Sequence, residues 1–382
     1  MRQAKRLAPL VPSPIRAMGA GAPEGCISLG LGEPSWPLPD VAIPGITASL
    51  QPGQACLYGP NAGTPELRSA LAAYLSLSED SFMLAAGSQA ALFALFQAWA
   101  GDGDDVLVPD PGFVAYPTLA ALAGASARPY PLADDGRLDP DAFVRALAAS
   151  PRARLAVVNH PANPTGAGSD PEALSAVASA CASRDVVLVS DEVYRELYLG
   201  GKPAGILDGG LLPGVVALGS MSKAFAAPGL RVGWAFGDPA VLAPARLVHN
   251  AMTSCLSRPA QAAAAALLGD AARVVAESRR QLALRRSAFE AAYSEAFPAE
   301  PLPALPAGGF YHWMRLQELD GEDEMAFCLR LRDEAGVIIV PGIAFGSRGS
   351  GRVRLSWAGL PGDIREGVRR LATFLKAGRI PA

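Results

Sequence analysis

Lys223 lies in the run Ser220-Met221-Ser222-Lys223-Ala224-Phe225 and is one of only four lysines, with Lys5, Lys202 and Lys376, in a chain that otherwise takes its positive charge from arginine. An ε-amino group can lose its proton and form an imine with an aldehyde, which a guanidinium cannot do. Arg231, eight residues on, offers a planar fork that suits a phosphate. Hydroxyls, an amine nucleophile and an arginine in one stretch point to an aldehyde cofactor that carries a phosphate, namely pyridoxal 5'-phosphate. An ordinary lysine in a polar turn fits the same few residues.

Other residues supply what such a cofactor would need. Gly87-Ser88-Gln89 stands between an apolar run and a helical stretch, so its N–H groups and the Ser88 hydroxyl fall at a helix N-terminus, a natural anion site. A serine that only caps the helix has the same spacing. Asp191 ends the apolar run 186–190 and brings a carboxylate to the edge of a sheet, where it could keep a pyridine nitrogen protonated or cap the next helix. Asn163, in Asn163-Pro164-Thr165-Gly166, could donate to a ring oxygen with Tyr194 as a second donor, and Phe113 offers a face for stacking.

The elements that must position these groups read as alternating strands and helices. Short apolar runs at 82–85, 105–108, 127–130, 155–159, 186–190, 215–218 and 232–236 predict strands, with helical stretches such as 89–99 and 171–183 between them. That alternation predicts an α/β fold with a mainly parallel seven-stranded sheet covered by helices on both faces. Ligands of such sheets bind beyond the carboxyl ends of the strands, and the candidate residues follow successive strands there. Residues 255–295 read as one long helical region, and runs at 309–315, 337–340 and 353–357 read as strands of a smaller α+β unit. The first 35 residues, rich in Pro and Gly, read as an extended arm. The division expected is an arm and part of the small domain at 1–35, a large cofactor-binding domain at 36–250, and an interdomain helix with the small domain at 251–382.

A chain of 382 residues exceeds the size at which one core keeps growing, which fits one large and one small domain. A net charge of -3 gives no electrostatic footprint for nucleic acid or an anionic membrane. The five cysteines, at 26, 56, 181, 255 and 328, are scattered, and with only three histidines they predict reduced thiols and no metal site. Arg2, Lys5 and Arg6 are basic, but Pro9, Pro12 and Pro14 interrupt the stretch that follows, and no apolar run is long enough to span a bilayer. A cytoplasmic location is expected.

From about residue 27 to its C-terminus the chain resembles the class I/II aminotransferases of the fold type I pyridoxal-phosphate enzymes. The resemblance rests on Asn163-Pro164-Thr165-Gly166, Ser190-Asp191-Glu192-Val193-Tyr194 and the run 220–233. It implies that Lys223 is the Schiff-base lysine and the base that moves a proton between the substrate Cα and the cofactor C4' carbon. It implies that Ser88, Gln89, Ser220, Ser222 and Arg231 hold the phosphate, with Phe113 on the ring. Tyr58 would reach the phosphate of a neighbouring subunit, which requires a homodimer with shared sites. Arg354 would grip the substrate α-carboxylate, with Arg352 the competing assignment, and Gly32 would let the backbone approach the same group. The small domain would then close over bound substrate.

The implied reaction is ping-pong transfer of an α-amino group from an L-amino acid to a 2-oxo acid. A C–S β-lyase shares the same cofactor residues and is the alternative. A regulator that uses this fold to bind an effector would carry a DNA-binding domain ahead of it. The stretch 87–93 resembles prokaryotic aspartate-using members, but Gln89 stands where they have a lysine for the distal carboxylate. A donor other than aspartate is therefore expected, either neutral or aromatic or a biosynthetic amino acid such as N-succinyl-diaminopimelate. Trp36, Tyr116, Met252 and His249 could line an apolar pocket or belong to the core.

Overall fold

The computed structural model describes residues 4–8, 10–50 and 57–378. Arg2, Pro9 and Cys56 lie outside the described residues. The main sheet has seven strands, in the order Phe82–Ala85, Gly233–Gly237, Val215–Ser220, Val187–Asp191, Ala153–Asn159, Asp105–Asp110 and Ser126–Pro131. The four pairings from Val215–Ser220 to Ser126–Pro131 are parallel, while Gly233–Gly237 runs antiparallel to both its neighbours. Every residue of Asp105–Asp110 and Val187–Asp191 is buried, as strands covered on both faces must be. Half of the residues of the edge strand Ser126–Pro131 are exposed.

The register fixes where the strand ends lie. Asn159 pairs with Asp191, and Asp191 with Leu218, so one row carries Asn159 and Asp191 side by side. A second row joins Ala85, Gly233 and Ser220. One face of the sheet packs on the helices Ser88–Trp99, Ala115–Leu122 and Pro239–Thr253. The other packs on Pro140–Ala148 and Pro171–Ala182, and further along on a larger core that runs into the C-terminal unit.

A three-stranded antiparallel sheet, in the order Val340–Pro341, Arg352–Ser356, Tyr311–Arg315, forms the smaller unit. It sits directly against the large sheet: Ser347 Oγ donates to Asp110 Oδ2 at 2.7 Å, and the Gly112 N–H donates to the Phe345 carbonyl at 2.7 Å. No described helix is long and apolar enough to cross a membrane.

Three expectations about the elements need correction. The arm is not wholly extended, because Pro14–Gly19 is a helix. Proline at its first position presets φ and lacks only an N–H that would have no partner there. Residues 255–295 form two helices, Arg258–Gly269 and Ala271–Ala296, broken at Asp270, where Gly269 ends the first. The run 337–340 is two short strands. Val337–Ile338 pairs in parallel with Ile27–Ser28 of the arm, and Val340–Pro341 pairs with Arg352–Ser356, so the chain changes partner at Ile339.

Candidate active site

Lys223 is half-buried, and its Nζ donates to the Gly32 carbonyl at 2.6 Å. Burial holds its pKa below the ordinary lysine value, and the Arg354 guanidinium pushes the same way, while Tyr311, Glu33 and Asp191 oppose them. Desolvation is the largest of these effects and makes the amine easier to deprotonate. The rings of Tyr194 and Phe310 flank it, with centroids 5.3 and 5.6 Å from Nζ.

Arg354 reaches this amine from the smaller sheet. It is 2 % exposed, whereas Arg352 on the same strand is only half-buried, which settles which of the two points inward. Its Nη1 donates to Asn163 Oδ1 at 2.7 Å and its Nη2 to the Gly30 carbonyl at 2.6 Å, with the guanidinium 4.3 Å from the Tyr311 ring centroid. Its Nε is buried with no partner among the described residues. Gly32 is required where it is, since a Cβ there would overlap the Tyr311 hydroxyl.

Asp191 closes its strand with one oxygen held and one free. Oδ2 accepts from the Tyr116 hydroxyl at 2.8 Å, and Oδ1 is buried with no partner among the described residues. Burial raises the pKa of this carboxyl, against the lowering effect of the Tyr116 bond and of Lys223. Phe113 stands edge-on to Tyr116, with centroids 5.6 Å apart. Asn159, one strand over, donates through Nδ2 to the Asp191 carbonyl at 2.8 Å, and its Oδ1 accepts from the Asn163 N–H at 2.8 Å.

A second cluster adjoins this one at the row of Ala85, Gly233 and Ser220. Arg231 follows the turn Pro228–Leu230 with a left-handed backbone, φ 52°, which is uncommon for a residue other than glycine and costs on the order of 1–3 kcal/mol. That conformation brings its guanidinium over Gly87, where a Cβ would overlap Nη2. Arg231 Nη1 lies 3.4 Å from Ser222 Oγ, and the Ser222 N–H donates to Ser220 Oγ at 3.0 Å. The Ser88 N–H faces Gly233 so closely that a side chain there would collide with it. Together these put an arginine, two hydroxyls and the first N–H of the twelve-residue helix Ser88–Trp99 around one point.

The structure thus brings Lys223, Gly32, Arg354, Asn163, Asp191 and Tyr194 into one cluster and Ser88, Ser220, Ser222 and Arg231 into the next. Gln89 is on the exposed side of its helix turn, and Tyr58 is 91 % exposed, directed away from the rest of its own chain. His249 and Trp36 are fixed elsewhere: His249 Nε2 accepts from the Ala86 N–H at 3.2 Å, and Trp36 Nε1 donates to Ser278 Oγ at 3.1 Å. Met252 is 44 % exposed.

Sequence reasoning passed over Tyr311, whose hydroxyl lies 2.9 Å from that of Tyr194, and Asn159. Asn159 could have been found, because it is a polar residue closing an apolar strand run just as Asp191 does. Tyr311 gave no such signal, since only tertiary packing brings the smaller sheet over Gly32.

The sequence model of the family described as aminotransferase class I and II matches residues 24–371. The aspartate/prephenate aminotransferase of Thermus thermophilus is 34 % identical, over 97 % of this chain and 98 % of its own length. The valine–pyruvate aminotransferase of Mycobacterium tuberculosis is 31 % identical, over 91 % of each chain. The solved N-succinyldiaminopimelate aminotransferase of Mycobacterium tuberculosis superposes with a TM-score of 0.87 at 27 % identity, over 97 % of this chain and 100 % of its own.

Proposed function

The chain belongs to the class I and II aminotransferases, and from that premise we propose that it holds pyridoxal 5'-phosphate at Lys223 and moves the α-amino group of a neutral or aromatic L-amino acid to a 2-oxo acid by a ping-pong route. One observation carries the reading: a half-buried amine of lowered basicity shares its surroundings with two buried polar atoms without partners among the described residues, Asp191 Oδ1 and Arg354 Nε. An unmet polar group in a protein interior costs about 1–3 kcal/mol, and more when charged. A ligand with a cationic ring nitrogen at one end and a carboxylate at the other would satisfy both.

The residues fit that group. Ser88, Ser220, Ser222 and Arg231 would take its phosphate, with Gln89 at the same helix end. Phe113 would stack on the ring, and Asn163 and Tyr194 would serve the ring oxygen. When bound, the cofactor supplies an aldehyde that captures the substrate amine and a ring that accepts the electron pair left at Cα.

The chain does the rest. Asp191 would keep a proton on the ring nitrogen, and Tyr116, by donating to Oδ2, orients Asp191 and favours its ionised form. Arg354 grips the substrate α-carboxylate, and Gly32 leaves room beside it for the backbone. Lys223, its basicity lowered by desolvation, would take the proton from Cα and deliver it to the C4' carbon. Closure of the small domain, residues 251–382 with the arm, over the large domain at 36–250 would exclude water around these groups. The acting unit is a homodimer in which Tyr58 completes the partner's phosphate site.

Two features support an apolar donor. Leu31, next to Gly32 in the chain, and Ile343, two residues before Phe345, whose ring packs on Arg354, are exposed apolar side chains. Gln89 carries no charge for a distal carboxylate. Single half-reactions of the cofactor-loaded protein with a panel of amino donors, read as a change in cofactor absorbance, test this. Valine, leucine or phenylalanine should convert it at least about tenfold faster than aspartate, a difference of about 1.4 kcal/mol. Preference for aspartate, or pyruvate released from cystathionine without any added oxo acid, would contradict the proposal.

A further inference from the structure

A cavity of about 880 Å³ opens on the face of the large sheet opposite the helix Ser88–Trp99, between the helix Pro65–Leu75, the loop after Glu192 and the start of the helix Ala271–Ala296. Ser220 of the phosphate cluster borders it, but neither Lys223, Asp191 nor Arg354 lines it. Its floor is aromatic: the Tyr74 ring stands edge-on to Phe225 and Trp234, with centroids 5.8 and 6.1 Å away.

The polar groups around that floor are unevenly satisfied. Each carboxylate is engaged. Glu196 accepts from Lys202 at 2.6 Å and Arg279 at 2.8 Å, Asp208 takes Arg195 Nη2 on both oxygens, and Glu192 accepts from Ser190 and the Ile206 N–H, both at 2.9 Å. Donors remain. Arg195 Nη1, Arg279 Nη1 and the Tyr74 hydroxyl make no hydrogen bond among the described residues. Burial pushes the Tyr74 pKa up, so that hydroxyl stays a donor. A pocket of this size with three unsatisfied donors suits a ligand with a carboxylate head and an apolar body.

We propose that this cavity is a second binding site, taking a small organic carboxylate with an aromatic or branched apolar body. The carboxylate meets the free donors of Arg279, Arg195 and Tyr74, and the body lies against the half-buried Tyr74 ring and the exposed Leu211 side chain. Ala224 and Glu192 line the same cavity, so the ligand abuts the backbone beside Lys223 and Asp191.

Calorimetric titration with 4-phenylbutyrate tests the site without relying on activity. The purified full chain, supplemented with pyridoxal 5'-phosphate, is compared with Arg354→Met, which removes carboxylate affinity at the active site. Arg354→Met should still bind one phenylbutyrate per chain, and 4-phenylbutanamide should bind at least tenfold more weakly. Adding Arg279→Met should weaken phenylbutyrate at least tenfold. Ala73→Trp, on an exposed face of its helix at the cavity wall, should do the same by filling the mouth, and in the otherwise native chain should lower the stoichiometry by one. No saturable binding to Arg354→Met, affinity unchanged by Ala73→Trp, or equal affinity for the amide would overturn the proposal. Because the donor half-reactions are read separately, either account can fail alone.

Discussion

Tyr116 shows how one hydroxyl can set the chemistry of a neighbouring group. Its bond to Asp191 Oδ2 opposes the burial that raises the carboxyl's pKa, and it leaves Oδ1 for a ligand. Tyr116→Phe removes a charge-assisted hydrogen bond of about 1.5–3 kcal/mol, so kcat/KM should fall roughly ten- to a hundredfold. The sign follows from the direction of the shift: without the hydroxyl the Asp191 pKa rises further, and the acidic limb of the pH–rate profile moves to higher pH. A profile whose acidic limb stays in place would assign Tyr116 to packing alone. The residue's type and place after a strand were visible in the sequence, but not the choice between pocket and core. That choice depends on Asp191 meeting Tyr116 across the one intervening strand, Ala153–Asn159, a contact with no trace in local spacing.

At the scale of the element, the strand ends carry a buried polar network as well as the site. His160 Nε2 lies 2.9 Å from Ser190 Oγ, which donates to Glu192. Burial lowers the His160 pKa to about 3 and raises that of Glu192 to about 7. An unfolded histidine titrates near 6.5, so below that pH the unfolded chain binds a proton that the folded chain refuses, and stability falls as pH drops toward 3. Glu192 acts in the opposite sense, because its folded form holds a proton between about 4.5 and 7 and its contribution is lost as pH rises through that window. Denaturant midpoints measured from pH 6.5 to 4 should therefore fall less in His160→Gln than in the native chain, a difference of up to about 3 kcal/mol. In Glu192→Gln they should fall more. Parallel curves for all three proteins would refute this assignment.

The strands themselves were legible, since apolar runs bounded by turn residues mark buried parallel strands and each lies within two residues of its predicted place at the N-terminal end. The break at Asp270 and the change of partner at Ile339 were not. Both depend on what the chain packs against, and neither interrupts the hydropathy pattern.

For the whole molecule, the large sheet holds Lys223 and Asp191 while the smaller sheet brings Arg354 and Tyr311 to them. The amine and the carboxylate grip therefore come from different units. Tyr58 adds a third source, being 91 % exposed on its own chain. The homodimer proposal predicts a solution mass of twice 39.4 kDa. It also predicts that mixing inactive Lys223→Ala with impaired Tyr58→Ala subunits restores activity above either alone, since one hybrid site has native Lys223 and native Tyr58 of the partner. A monomeric mass, or no gain on mixing, would contradict the shared site.

The central claim is that the Lys223 amine both anchors the cofactor and moves the substrate proton. Absorbance spectra of the native and Lys223→Ala proteins with pyridoxal 5'-phosphate, before and after addition of an amino donor, test it most directly. The native protein should show the band of lysine-bound cofactor and lose it on adding the donor. Lys223→Ala should lack that band and turn over at least about 10⁴-fold more slowly. A Lys223→Ala protein that kept both the band and native turnover would contradict the account.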